Sequence, residues 1–490
     1  MVKHWKFAVK VIAFTSLILF LILQVNDVLT PKKYFDQSWP TTSGYKGFYQ
    51  MEKHSIDVLF LGSSHAASGF NPQVAYNKYG IRSYNLGCEQ QNPLVSYYWL
   101  KEALRFQKPK MVVLDTYILF THDHLEALNT AESCTRMAID AMKWSDVKWE
   151  AVHAICEHDS KQTVNSYIFK NIRFHTRWTA LSEQDFTFSE MEKHYELKGY
   201  APLESKGVNV KLDYQPYAEY DKAAYTPMVP LMEQYLNQIE TLCREEKIQL
   251  ILVKTPTAEW DPSKHNTVQR YAEENDIDFI DYNVKENYDS CQFIYAEDMN
   301  DDGHSNVWGA SKLTTDISRL CSEKYKLDAV TDWQWESSKE YNEHVISDCS
   351  LGYLTDVKEY LHALDQDRYT IFIANQYDMT YFTDDDIKDA FSELGLNLTA
   401  EPFDSYYAVI SGNRTVQEVG HETLSYTGST RKTRLTFHII SNGNDAGKEC
   451  SITINYMEYA RKQNGLNIVV YSEETRKVVD RAVFDGTIHR

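Results

Sequence analysis

Between residues 55 and 330 the apolar positions alternate between short unbroken runs and longer stretches with helical spacing. The runs at 58–61, within "KMVVLDTYILF" (110–120), at "QLILVKTPT" (249–257) and at "IDFIDYN" (277–283) read as strands. The stretches "NPLVSYYWLKEALRFQ" (92–107), "YTPMVPLMEQYLNQIETLCREEKI" (225–248), "SKHNTVQRYAEEND" (263–276) and "VWGASKLTTDISRLCSEKY" (307–325) carry apolar residues at helical spacing and read as helices. Strands separated by helices predict an α/β domain with a parallel sheet covered on both faces. In such a sheet, function gathers at the carboxyl ends of the strands.

Three segments depart from this alternation. Residues 121–224 form a long insert rich in helix patterns and aromatics, including "NIRFHTRW" (171–178). It is too long for a structureless loop and is expected to cover the active edge of the sheet. Residues 327–345, "LDAVTDWQWESSKEYNEHV", read as a linker. From 346 to 490 the pattern is helix "DVKEYLHALD", strand "YTIFIAN", helix "TDDDIKDAFSELG", then period-two runs such as "SYYAVIS", "RLTFHIIS", "CSITINYMEYA" and "LNIVVYSEETRKVVDRAVFD". That predicts an α+β or β-sandwich module. The expected organisation is an N-terminal segment over 1–30, an α/β domain over 50–326, a linker over 327–345 and a second domain over 346–490.

At the N-terminus, Lys3, Lys6 and Lys10 precede an apolar run from Val11 to Leu23, extended by Phe7, Ala8 and Val9. The total approaches the ~20 residues that span a bilayer. No small-x-small cleavage site follows, so the segment reads as an uncleaved anchor: one crossing of the cell membrane, with the bulk of the chain extracytoplasmic. A cleaved signal peptide is the competing reading, and Lys32 and Lys33 weaken the charge asymmetry. Seventy acidic against 50 basic residues give a formal charge of −20, which argues against a nucleic-acid footprint, since that needs clustered positive charge. Eight scattered cysteines with no Cys-x-x-Cys pair exclude zinc-ribbon and thioredoxin-type chemistry and leave disulfide pairing open.

Candidate chemistry begins in "DVLFLGSSHAASGFNP" (57–72). An apolar run ends at Gly62 and is followed by Ser63, Ser64 and His65. A strand that turns into a helix through Gly-x-Ser can present a serine nucleophile; it can equally begin an ordinary helix with serine as N-cap. A nucleophile needs a base, and the base an orienting group. "YAEDMNDDGHSNVWGASKLT" (295–314) supplies Asp301 and His304 on one short loop before the last helix of the α/β domain. Asp298, Asn300 and Asp302 also match the first half of a calcium loop, but its twelfth position is Gly309, where that loop needs a bidentate glutamate.

Gly62-Ser63-Ser64 after a strand, Gly87 in "SYNLG" and Asp301-x-x-His304 before the last helix resemble the SGNH (GDSL-like) hydrolase superfamily. The similarity is to its membrane-anchored, extracytoplasmic branch, which includes the lipoteichoic-acid D-alanylation protein and the alginate O-acetylation proteins. The resemblance implies a flavodoxin-like three-layer fold and a serine esterase or O-acyltransferase that acts on a cell-surface polysaccharide or wall polymer. A membrane-bound O-acyltransferase would be its partner, with neither cofactor nor metal. It further implies Ser64 as nucleophile, His304 as base and Asp301 as orienter, with backbone N–H groups of Ser64 and Gly87 as the oxyanion hole. The family's Gly-x-Asn-Asp block is absent; the strand there ends in Asp115-Thr116-Tyr117, where Tyr117 could supply a phenolic donor or simply pack. The C-terminal region resembles the PANDER-like (interleukin-like epithelial–mesenchymal transition inducer) domain, which implies a glycan-binding or spacer role. The alternative expectation is a non-catalytic surface glycan-binding protein with the sheet domain as scaffold.

Overall fold

The computed structural model describes residues 2–30, 40–120, 134–169, 171–181, 183–186, 196–377, 379–380, 385–397, 404–447 and 449–490. The chain forms two compact units, Met1–Lys339 and Glu340–Arg490.

In the first unit five strands, β1 (Val58–Gly62), β2 (Ser83–Gly87), β3 (Met111–Asp115), β4 (Gln249–Lys254) and β5 (Asp278–Asp281), form a wholly parallel sheet in the order 2-1-3-4-5. Alternate residues feed two separate cores. Leu59, Leu61, Val112, Leu114, Leu250 and Leu252 pack with Trp99, Leu236 and Ile239 from the helices Pro93–Leu104 and Pro230–Glu245. Val58, Phe60, Met111, Val113, Ile251 and Val253 pack with Ala66, Phe70, Leu313 and Ile317, beside the helices Ser64–Gly69 and Val307–Glu323. Burial on both faces explains the unbroken apolar runs of the strands. The strand order reverses between β1 and β3, which opens a crevice at their carboxyl ends.

The first unit extends beyond its expected limits at both ends. The helix Pro40–Phe48 places Tyr45 and Phe48 in the core, with Tyr45 stacked on Trp99 at 4.3 Å. Much of the stretch expected to be a linker is integral to the unit. Trp335 is fully buried, Val330 N–H donates to Gly80 O, and the Gln334 side chain accepts from Glu52 N–H. The cause is a cluster of aromatic and amide side chains that the linker reading overlooked. At the N-terminus a helix, Val2–Leu29, contains one stretch, Trp5–Leu29, long and apolar enough to cross a membrane. Seven cysteines are free thiols among the described residues.

The second unit is α+β. Its strands are β6 (Tyr369–Tyr377), β7 (Ser405–Ser411), β8 (Arg414–Gly420), β9 (Leu424–Ser429), β10 (Thr436–Gly443), β11 (Cys450–Ile454), β12 (Met457–Glu458), β13 (Gly465–Ser472), β14 (Lys477–Phe484) and β15 (Ile488–His489). They form one mixed sheet with β6 at its centre, and only the β6–β10 pairing is parallel. Ile371, Ile373, Ile468 and Val470 face the helices Val357–Leu364 and Asp385–Glu393 through Leu361, Leu364 and Phe391. Phe372, Ala374, Val469 and Tyr471 pack on the other face with Phe437, Ile439 and Ile452.

Candidate active site

β1 ends at Gly62 with φ +135°, a backbone conformation that only glycine adopts readily; a Cβ there would also lie 2.6 Å from Cβ of Asp115 on β3. The chain turns directly into the short helix Ser64–Gly69. Ser63 is its N-cap: Oγ accepts from the His65 N–H at 3.3 Å and donates to Asp115 Oδ2 at 2.6 Å. Burial raises the Asp115 pKa, against the opposing pull of the Lys254 charge and of hydrogen bonds from Ser63 and Tyr117. The adjacent Ser64 opens the helix half-buried, with its Oγ 2.8 Å from His304 Nε2. The capping role and the presented hydroxyl, alternatives in the sequence, therefore fall on two neighbouring serines.

His304 sits on a loop closed by its own backbone. Asn300 N–H donates to His304 O at 2.7 Å, inside a Met299–Ser305 bridge. His304 Nδ1 lies 2.8 Å from Asp301 Oδ1, which also accepts the N–H groups of Gly303 (2.9 Å) and His304 (3.0 Å); Asn300 Nδ2 donates to Oδ2 at 3.0 Å. Burial raises the Asp301 pKa, but these hydrogen bonds and the His304 charge outweigh it and hold the carboxyl well below the usual carboxylate range. Both side chains stay accessible, His304 at 31% and Asp301 at 43%. Asn306 caps the following helix through the N–H groups of Trp308 and Gly309 and ties the loop down through Met299 O. The two aspartates that suggested calcium have other partners: Asp298 pairs with Lys312 at 2.6 Å, and Asp302 accepts the Lys211 N–H at 2.6 Å. Among the described residues no group of three or more His, Cys, Asp or Glu side chains is placed to hold a metal ion.

The returning end of the insert binds these two elements together. Asn85 N–H on β2 donates to Lys198 O, and Ala201 N–H donates to Ala67 O on the serine's helix. Val307 N–H then donates to Leu203 O, and the N–H groups of Gly207 and Val208 donate to Met299 O and Asn300 O on the histidine's loop. The described end of the insert thus borders the site. Residues 121–133, 170, 182 and 187–195 of the expected insert lie outside the described residues.

No family model matches the chain, and no curated protein is significantly similar to it.

The structure brings Ser64, His304 and Asp301 into one hydrogen-bonded line, but it gives the expected oxyanion donors a different arrangement. The Ser64 N–H has no partner among the described residues. The Gly87 N–H, however, donates to Asn85 Oδ1 at 2.9 Å. Asn85 captures it because its amide bridges β2 to the serine's helix, donating to Ala66 O and Phe70 O. Tyr117 is also otherwise engaged: its hydroxyl donates to Glu259, and its ring stacks on His65 at 3.8 Å.

The sequence reading assigned no role to the layer beneath the line. Asp115 ends β3 and holds the capping serine. Lys254 ends β4, fully buried, with Nζ 2.9 Å from Thr255 O, 3.2 Å from Thr255 Oγ1 and 3.2 Å from His65 Nδ1. Burial lowers the Lys254 pKa to about 8, against the attraction of Asp115, Asp281 and Glu259. The available signal was a charged residue closing each apolar strand run, Asp115 in "MVVLD" and Lys254 in "QLILVK", at the sheet edge where function gathers.

Proposed function

We propose that the first unit is a serine esterase or O-acyltransferase of SGNH type. The single observation that carries this reading is the line Ser64 Oγ, His304 Nε2, Nδ1 and Asp301 Oδ1, with 2.8 Å at each hydrogen bond. That is the nucleophile, base and orienter geometry of acyl transfer. The flavodoxin-like strand order, with Ser64 just beyond the β1 end at the switch point, supports it.

In the proposed reaction His304 Nε2 takes the Ser64 proton as Oγ bonds to the acyl carbon, and the carbonyl π pair moves to oxygen. Asp301 holds Nδ1–H and stabilises the imidazolium. Collapse returns the pair to the carbonyl, breaks the bond to the leaving oxygen, and passes the His304 proton to it. A sugar hydroxyl or water then repeats the sequence on the acyl-serine. The apolar Trp5–Leu29 helix and the net charge of −20 support a membrane-anchored enzyme facing a cell-surface polysaccharide or wall polymer, with a membrane-bound O-acyltransferase as acyl supplier. The second unit, read as PANDER-like, would hold the polymer or act as a spacer.

The test is labelling of the full chain with a fluorophosphonate, beside turnover of an activated acetyl ester. Labelling of the wild type, lost in Ser64→Ala and His304→Ala, is the expected result. A folded wild-type chain that neither labels nor turns over ester would overturn the reading in favour of a non-catalytic glycan-binding scaffold.

A further inference from the structure

We propose that His65 supplies the second oxyanion donor, its Nε2–H hydrogen-bonding the acyl oxygen as negative charge develops there. The inference rests on the serine reading above and deepens it. With Gly87 N–H held by Asn85 and the Tyr117 hydroxyl held by Glu259, the Ser64 N–H would otherwise act alone. His65 directly follows the nucleophile in sequence.

The tautomer follows from Lys254. An ammonium has three donors and no acceptor. Lys254 Nζ has three acceptors in reach: Thr255 O, Thr255 Oγ1 and His65 Nδ1. An Nδ1–H 3.2 Å from this ammonium would set donor against donor, so Nδ1 accepts, with the Thr255 hydroxyl a second donor in reach at 3.3 Å, and the ring proton belongs on Nε2. Burial, with the nearby Lys254 and His304 charges, keeps the His65 pKa well below the ordinary histidine range, so the ring is neutral at neutral pH. His65 is 2% exposed, and Nε2 has no hydrogen-bond partner among the described residues. A Cβ on Gly303 would stand 4.0 Å from both Cε1 and Nε2, so this edge of the ring faces the Asp301–His304 loop. The ring centroid lies 5.1 Å from that of His304. Tyr117 stacked on the ring and Lys254 on its far nitrogen fix the orientation before substrate arrives, the condition under which such a donor is most effective. As Ser64 Oγ bonds to the acyl carbon, its proton goes to His304 and the π pair to the acyl oxygen; His65 keeps its proton throughout.

The experiment compares His65→Met and His65→Gln in the full chain. Both match the volume, but only glutamine ends in an N–H donor near the Nε2 position. His65→Met should lower kcat on an activated acetyl ester by ~10²-fold, the usual loss for one oxyanion donor, with KM changed less than about twofold. His65→Gln should recover at least about tenfold of that loss. Equal kcat in the two variants, or a methionine variant within about threefold of wild type, would overturn the assignment. Lys254→Met gives a second reading: nitrogen NMR of labelled histidine should show His65 leaving the Nε2–H tautomer as kcat falls, and an unchanged tautomer would count against the argument. Ser64→Ala and His304→Ala separate the two levels. If both abolish turnover while His65→Met does not lower it, only the His65 assignment fails; if both retain wild-type turnover, the serine reading itself fails.

Discussion

Asp301→Asn is the sharpest perturbation of the proposed relay. Asp301 Oδ1 accepts from His304 Nδ1 and from two backbone N–H groups, while Oδ2 accepts from Asn300. An asparagine cannot satisfy both sides. With its oxygen toward His304, its NH₂ meets the Asn300 NH₂, donor against donor. Turned over, its NH₂ meets Nδ1, which must then accept; the ring proton moves to Nε2, and His304 can no longer take the Ser64 proton. For a buried relay, the equivalent change costs ~10⁴ in kcat. Here both side chains are partly open to solvent, 31% and 43%, so water screens the lost charge and can partly replace the lost acceptor. The expected loss is therefore smaller, ~10²–10³ in kcat, or about 3–4 kcal/mol of transition-state stabilisation. KM should stay nearly constant, because the interaction strengthens only as the imidazolium forms. The assay is steady-state turnover of an activated acetyl ester, with the fluorophosphonate labelling rate measured in parallel. A folded variant that retains kcat within about fivefold of wild type would show that Asp301 does not orient a catalytic base.

Three further outcomes follow from the same geometry. Ser63→Ala removes the cap and the donor to buried Asp115, so it should destabilise the first unit by about 2 kcal/mol while still labelling at Ser64; thermal unfolding and labelling read the two effects separately. Lys198, whose Nζ is buried against Gln334 O and Ser338 Oγ, has its pKa pressed down to about 7, first by burial. Between that value and the ordinary lysine range the unfolded chain binds the extra proton, so stability should rise from about pH 7 to 8.5, by up to about 1.4 kcal/mol per pH unit from this group, and Lys198→Met should flatten that slope in denaturant titrations. A chain ending at 330 loses buried Trp335 and the Gln334 contacts, whereas one ending at 339 keeps them. Only the longer chain should fold and label; equal behaviour of the two would contradict the unit boundary.

The α/β pattern was legible because strands buried on both faces write themselves as unbroken apolar runs, and the helices between them carry a second period. The line Ser64–His304–Asp301 was legible because Gly62-Ser63-Ser64 follows a strand, Asp301-x-x-His304 fills the loop before the last helix of the domain, and the two together resemble an SGNH pattern. The oxyanion arrangement was not. Whether Gly87 N–H points into the site depends on the side chain two residues earlier, and nothing in "SYNLG" says that Asn85 turns back to take it. Strands β8 and β9 were also passed over, since their residues are largely half-exposed and their polar sequences lack a clean apolar alternation. The linker reading failed for the opposite reason: "TDWQW" looked like a break in pattern, yet its Trp335 is buried through tertiary packing that no local period encodes.

The insert is the part of the chain whose purpose the fold alone leaves unexplained, and the site gives it one. Ser64 and His304 are 240 residues apart in sequence, on elements that the parallel sheet brings to one edge but does not itself lock together. A relay of two 2.8 Å hydrogen bonds tolerates displacements of only about 0.5 Å. Sheet packing sets the position of the serine's helix, which shares a core with the helix Val307–Glu323 through Ala66 and Leu313, and the Thr257 hydroxyl and Ala258 N–H beyond β4 donate to Asp302 O on the histidine's loop. The backbone hydrogen bonds made by Ala201, Leu203, Gly207 and Val208 add a further tie, since the first reaches the serine's helix and the others reach the histidine's loop and the start of the helix that follows it. The same tie leaves His304 and Asp301 reachable from solvent. The described end of the insert thus helps to hold the proposed relay in register. In the proposed reaction, access of a polymer hydroxyl to an acyl-serine would need the solvent-reachable face of His304 and Asp301, and so would access of water; the seated acceptor would then decide between transfer and hydrolysis.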